Sequence, residues 1–282
     1  MNKLFFLGSL LFFQTSIAQF CLPKSGSVRD GLYTPHHRSL RFVPYTPLRQ
    51  ADVMWSKRTW RILDLREKIN HPLYFPIEAI TSRTSFVQMI MDALTCDYTE
   101  YNLTAYDVID DEFTVRLTKS EVVDKSFTKE EISYENDEGE IITKSVDNPF
   151  DFASVKRLRI KEEWFFDNQR SVMNVRIIGL CLVQEKFDEM GEYKGEKPLI
   201  WLYFPELRIP MSSTAMFNSR NPSAIITYDH LFMKRRFSSY VYKESNVFHR
   251  GIASYKTGVD LLLESKDIEH EIFEFEQDLW EY

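Results

Sequence analysis

The chain has 282 residues, 44% of them apolar, enough for one large domain or two small ones with a substantial core. Its formal charge of −7 is the wrong sign for a nucleic-acid binder, and only 9 glycines argue against a Gly-rich phosphate cradle or a low-complexity linker. Aromatic residues are abundant at 15%, led by 22 phenylalanines, which suits a surface that packs against other proteins.

The first eighteen residues read as a signal peptide: Lys3, an apolar core of about ten residues from Leu4 onward, and the small-x-small site Ser16-Ile17-Ala18. That core is too short to span a bilayer. Phe20 before Cys21 does not fit a lipoprotein box, so the expectation is an exported protein without a lipid anchor. With three cysteines, at most one internal disulfide is possible. Cys181, in the apolar run VRIIGLCLV, reads as a buried small hydrophobe. Cys21 and Cys96 are left open.

Residues 19–48 form an arm punctuated by Pro23, Pro35, Pro44 and Pro47, with no apolar periodicity. Its end, RFVPY, suits an extended path along a groove. His36-His37 lacks further ligands at zinc spacing and reads as solvent-exposed. Residues 49–282 are expected to form a single α+β domain.

The stretch 52–76, DVMWSKRTWRILDLREKINHPLYFP, is predicted to be a helix ended by Asn70-His71-Pro72. Met54, Ile62, Leu65 and Ile69 recur at near-helical spacing, and Asp64 precedes Lys68 by four residues. Lys57, Arg58, Arg61 and Arg66 would make its other face basic. A solvated face is the plain reading of such a run; two tryptophans, Trp55 and Trp60, beside Arg58 and Arg61 suggest a docking face instead.

A short helix is expected over 84–94. The run EFTVRLT (112–118) alternates like a strand, and 126–134 with 139–146 read as a hairpin about a polar turn. Asp107, Asp110 and Asp111 form an acidic loop without the spacing of a calcium loop. VKRLRIKEEWFFD, SVMNVRIIGLCLV and PLIWLYFP should form an antiparallel meander, the second strand buried on both faces at its end. Helices are expected over 207–217, from a Thr227 cap through TYDHLFMKRRFSSYVYKESN, and from a Thr257/Asp260 capping box to the terminus. Arg235 and Arg236 sit in a basic knot beside aromatics. In the last helix Leu261, Ile268, Ile272, Phe275 and Leu279 mark the inward face. From Glu264 onward eight carboxylates stand against one lysine, whereas 36–68 carries eight Lys/Arg against three acids. Internal pairing, or simply solubility, is one reading of this polarity; head-to-tail attraction between copies is the other.

No catalytic constellation stands out: there is no G-x-S-x-G, H-E-x-x-H, P-loop or paired C-x-x-C. The architecture expected is α+β, a β-meander in the middle third packed by helices from both ends.

The runs WSKRTWRILDLREKINHPLYFP, NQRSVMNVRIIGL, PLIWLYFPELR, YDHLFMKRRFSSYVYKESN and IFEFEQDLWEY resemble the GldN/PorN family across most of the chain after residue 49. The resemblance implies a non-enzymatic periplasmic component of the type IX secretion and gliding-motility machinery, with no cofactor. It also implies rings built with a GldK/PorK-type outer-membrane lipoprotein, neighbouring copies of the chain, and contact with a GldM/PorM-type motor subunit. It transfers no catalytic residues. Trp55, Arg58, Trp60, Arg61, Arg235, Arg236, Phe275 and Trp280 are the residues expected at assembly surfaces. A free-standing periplasmic enzyme, or a ligand- or cell-wall-binding protein, is the competing expectation.

Overall fold

The computed structural model describes residues 40–80, 83–95, 103–126, 128–135, 141–148, 150–188, 191–219, 221 and 223–280. The signal peptide, His36-His37, Cys21, Cys96 and the turn at 136–140 lie outside the described residues.

The 52–76 stretch is not a helix. Val53–Asp64 forms strand β1. Trp55, Lys57, Thr59, Arg61 and Leu63 point to one side, and Arg58, Trp60 and Ile62 to the other. The near-helical spacing misled because both faces carry apolar residues: Leu65 is buried, but Met54 and Ile69 are exposed. The Asp64–Lys68 pairing does not form; Asp64 accepts from Arg66 and Arg157 instead. Asn70 and Pro72 start a helix rather than end one, since α1 spans His71–Tyr74 with proline in its first turn. Asn70 is fully buried. Its amide donates to the carbonyls of Asp64 and Ser238 and accepts from the Ser238 amide, tying two distant segments together.

Helix α2 covers Phe86–Thr95 and is buried along most of its length. Strands β2 (Ala105–Tyr106) and β3 (Arg116–Leu117) are short, so EFTVRLT pairs over only two residues. Phe113, at φ 61°, turns the chain before the alternation becomes a ladder. Helix α3 spans Lys119–Ser126. The hairpin forms as expected from β4 (Thr128–Glu135) and β5 (Ile141–Asn148), a two-stranded sheet of its own.

The meander also forms. β6 (Val155–Asp167), β7 (Val172–Phe187) and β8 (Tyr193–Tyr203) pair antiparallel in sequence order. Residues 179–183 of β7 are buried on both faces. Helix α4 (Phe204–Ser213) begins earlier than expected, with Pro205 in its first turn, and stops before Ala215–Met216 (β9), which pairs with Ile226–Thr227 (β10). Thr227 does cap α5 (Tyr228–Met233), in a reciprocal box with His230. That helix is only six residues long. Arg235 at φ 48° ends the helical path, and Tyr240–Glu244 becomes strand β11. Helix α6 (Val259–Asp278) has Gly258 at its N-cap with no side-chain cap bond, so the Thr257/Asp260 box is not made.

The main sheet therefore has seven strands in the order β11-β1-β6-β7-β8-β2-β3, all neighbours antiparallel. The fold is α+β. Directly paired residues share a face: Leu63, Leu158, Leu182 and Ile200 in one row, Ile160, Leu180 and Leu202 in the next. Helices α1, α2, α4 and α5 cover this face with Leu73, Phe86, Ile90, Phe204, Leu207, Met211, Tyr228 and Phe232. On the opposite face Trp60, Cys181, Val183 and Trp201 form a smaller cluster, roofed by Val108 and Phe113. Burial pushes the Cys181 thiol up to about 12, which makes it an inert core residue.

Candidate functional site

The sequence places a basic stretch and an acidic stretch far apart. The fold brings them into contact. Helix α6 lies against β11 and the first half of β1, with Ile268 packed on Val241 and the Ser265 hydroxyl accepting from the Val241 amide at 2.8 Å. Along this contact Trp55 stacks on Phe275 with ring centroids 4.4 Å apart and 18° between planes. Lys57 Nζ lies 2.7 Å from Glu271 and 2.8 Å from Glu244. Arg61 pairs with Glu269 and donates to the hydroxyl and carbonyl oxygens of Ser239. Burial works against the Lys57 ammonium, but its bonds to Glu244 and Glu271 outweigh it and hold its pKa above the usual lysine range.

Beneath Arg61 lies Glu162, completely buried. Its carboxylate takes both arms of Arg235 at 2.8 and 3.2 Å and the Trp164 indole N–H at 3.1 Å, with Arg61 3.8 Å away. Arg235 in turn lies over the rings of Trp164 and Phe237. An unpaired carboxylate here would be costly, so the two arginines serve the fold before any partner.

Trp60 is buried on the far side of the sheet, where its indole N–H donates to Asp111 and the Lys243 ammonium lies 4.4 Å from its ring. Arg58, also on that side, pairs with Glu163 at 2.8 Å. Arg236 and Trp280 are exposed. The eight expected residues thus fall into three sets. Trp55, Arg61 and Phe275 meet at the α6 contact, with Arg235 joined to them through Glu162. Arg58 and Trp60 lie on the opposite face. Arg236 and Trp280 point to solvent.

The acidic loop is also accounted for. Asp107 pairs with Lys125, Asp110 accepts from Thr114, and Asp111 holds Trp60 and Lys161. Among the described residues no group of three or more His, Cys, Asp or Glu side chains is placed to hold a metal ion. No described helix is long and apolar enough to cross a membrane.

Sequence reasoning missed a second buried pair. Arg208 bonds Asp229 at 2.7 Å, and its guanidinium lies 4.9 Å from the rings of both Phe42 and Tyr45. The end of the arm is therefore extended, as its prolines suggest, and is fastened to α4 of its own chain. Arg176 donating to the Thr46 carbonyl at 2.6 Å completes the attachment. The signal for this attachment was the RFVPY run, with Phe42 and Tyr45 on either side of Val43-Pro44.

A family model described as "Gliding motility associated protein GldN" matches residues 48–281, nearly the whole chain. The chain belongs to the GldN family. None of the curated proteins compared with it matches. GldN membership makes the chain a gliding-motility-associated component, and the matched span begins where the arm gives way to β1.

Proposed function

We propose that this GldN-family chain is a non-enzymatic structural part of the type IX secretion and gliding-motility machinery. In this reading it is exported to the periplasm. There it builds a ring with neighbouring copies and a GldK/PorK-type lipoprotein at the inner face of the outer membrane, and it contacts a GldM/PorM-type motor subunit. The observation that carries the reading is the family match over residues 48–281.

The fold alters which residues suit that role. Arg61, Trp55 and Phe275 are engaged within the chain, so charge reversal at Arg61 would unpair Glu269 and disturb the fold itself. Arg236, Trp280 and the partly exposed Arg58 are the better probes of assembly.

Size and companions test the reading. Tagged full-length chain from membrane extracts should elute in a very large particle and bring down the lipoprotein and the motor subunit. Elution near 33.5 kDa without companions, or turnover of a small substrate, would remove it.

A further inference from the structure

Helix α6 carries two apolar stripes where the fold uses one. The inward stripe holds Ile268 and Ile272, both buried, flanked by Phe275. A second runs along the solvent side: Val259, Leu262, Leu263, Phe273 and Trp280 are 71, 49, 52, 54 and 59% exposed. Val259, Leu263, Phe273 and Trp280 fall on a line of alternating four- and three-residue steps, the spacing of a seam facing another element, with Lys266, His270 and Gln277 at the remaining positions, so the apolar groups gather toward the two ends of the helix. The stripe is about 30 Å long at 1.5 Å per residue. Large apolar side chains this exposed, grouped at both ends of one helix, mark a surface that something covers.

Charge says what that is. Asp260, Asp267, Glu274 and Asp278 run along one flank of the stripe, and Glu269 and Glu276 along the other, six carboxylates about a line that itself holds Lys266 and His270, the latter beside Glu274. Of these, Asp260, Asp267, Glu276 and Asp278 make no ion pair among the described residues. Two α6 helices facing each other, parallel or antiparallel, would set carboxylates against carboxylates on both flanks, so a second α6 is disfavoured. We infer that the outward face of α6 docks a partner protein's amphipathic segment whose apolar residues are flanked by lysines or arginines. The inference rests on the proposed role as an assembly component and gives that role a surface and a partner chemistry.

The test uses tagged full-length chain with a photo-crosslinker at Leu262, irradiated in membrane extracts at low and high salt. The expected adduct is to a different protein, through a peptide with lysine or arginine beside apolar residues. It should fall about tenfold with Leu263→Gln/Phe273→Gln, and about tenfold with Asp260→Asn/Asp267→Asn/Asp278→Asn, the scale set by a few interface anchors. High salt should lower it as well. All five substitutions are at exposed positions, and an unchanged melting temperature confirms that the fold is intact. An adduct to another copy of this chain, an adduct through a peptide without basic residues, variants that cross-link like the parent, or no adduct overturns the inference. If the chain still runs in the large particle, only this inference falls. If it runs alone, the functional reading falls with it.

Discussion

Trp55 lies flat on Phe275, 4.4 Å between ring centroids, and so joins the first strand of the fold to its last helix across 220 residues of chain. The contact sits beside two ion pairs, Lys57 with Glu271 and Arg61 with Glu269. Part of the acidic stretch is thus paired with the basic stretch inside one subunit. Phe275→Ala should destabilise the chain by about 1–3 kcal/mol, from lost ring packing on a half-buried site. A double-mutant cycle with Trp55→Ala should return a coupling of about 0.5–1.5 kcal/mol. Hydrogen exchange should rise along α6 well before it rises in β6 and β7, since α6 rests on the sheet's edge. Equal acceleration throughout would mean that the helix is not a separable unit.

Arg208 and Asp229 form the other long-range fastening. Both are buried, so Arg208→Met should cost about 3–5 kcal/mol by stranding the Asp229 carboxylate. It also removes the cation from between Phe42 and Tyr45, and the arm over 40–46 should become protease-sensitive. Adding Asp229→Asn should recover part of the stability but leave the arm loose. Recovery of both would show that the rings are held by shape alone.

The central sheet was legible because its strands obey simple patterns. VKRLRIKEEWFFD alternates, residues 179–183 are apolar without a break, and the β4–β5 hairpin has a polar turn between two runs. Helix α2 and the Thr227 cap were legible for the same local reasons. Strand β1 was not. Lys57, Arg58, Trp60 and Arg61 put cations and tryptophan on both faces, and the carboxylates that make this tolerable are 105 and 214 residues away at Glu163 and Glu271. β11 was hidden because a helical signal runs into it, and only the backbone turn at Arg235 separates the two. The charge clusters were visible in the sequence. Their internal pairing was one of the readings left open, because nothing local specifies which carboxylates of α6 meet which cations of β1.

Stability should fall at both ends of the pH scale. Burial opposes ionisation of Asp64, but hydrogen bonds from Arg66 and Arg157 outweigh it; Asp107 is held down chiefly by Lys125. Both carboxyls sit below the ordinary aspartate value of 3.8, so their contribution is present at neutral pH and is lost as pH drops below that value. Burial raises Tyr228, Tyr242 and Cys181, whose unfolded values are 10.0, 10.0 and 9.0. Their contribution is complete below those values and is lost as pH climbs past them. The melting temperature should be flat from about pH 5 to 8 and decline outside about 4 and 9. Tyr228→Phe loses the bond to the Thr84 carbonyl, about 1 kcal/mol at neutral pH, but should flatten the alkaline decline. An unchanged alkaline limb would assign it to other groups.

Gly179 is where the roofing loop touches the sheet. A Cβ there would overlap the Phe113 ring, with one ring carbon at 2.9 Å, and would stand 3.3 Å from the Leu202 carbonyl. The ring can swing away, but it is wedged among Tyr106, Trp201 and Tyr203 at 5.4, 6.1 and 5.8 Å. The carbonyl belongs to the β7–β8 ladder and has little room to yield. Gly179→Ala should therefore cost about 1–3 kcal/mol, the range for overfilling a packed site, seen as a lower denaturant midpoint at unchanged slope. It should also shift the emission of Trp60 and Trp201, because Asp111 and Phe113 move together with the loop. Phe113→Leu in the same chain frees the space above residue 179 and should restore about half of the loss. If Gly179→Ala is as stable as the parent, the loop does not rest on the glycine, and the roof over this face is held by its other contacts, Asp111 among them.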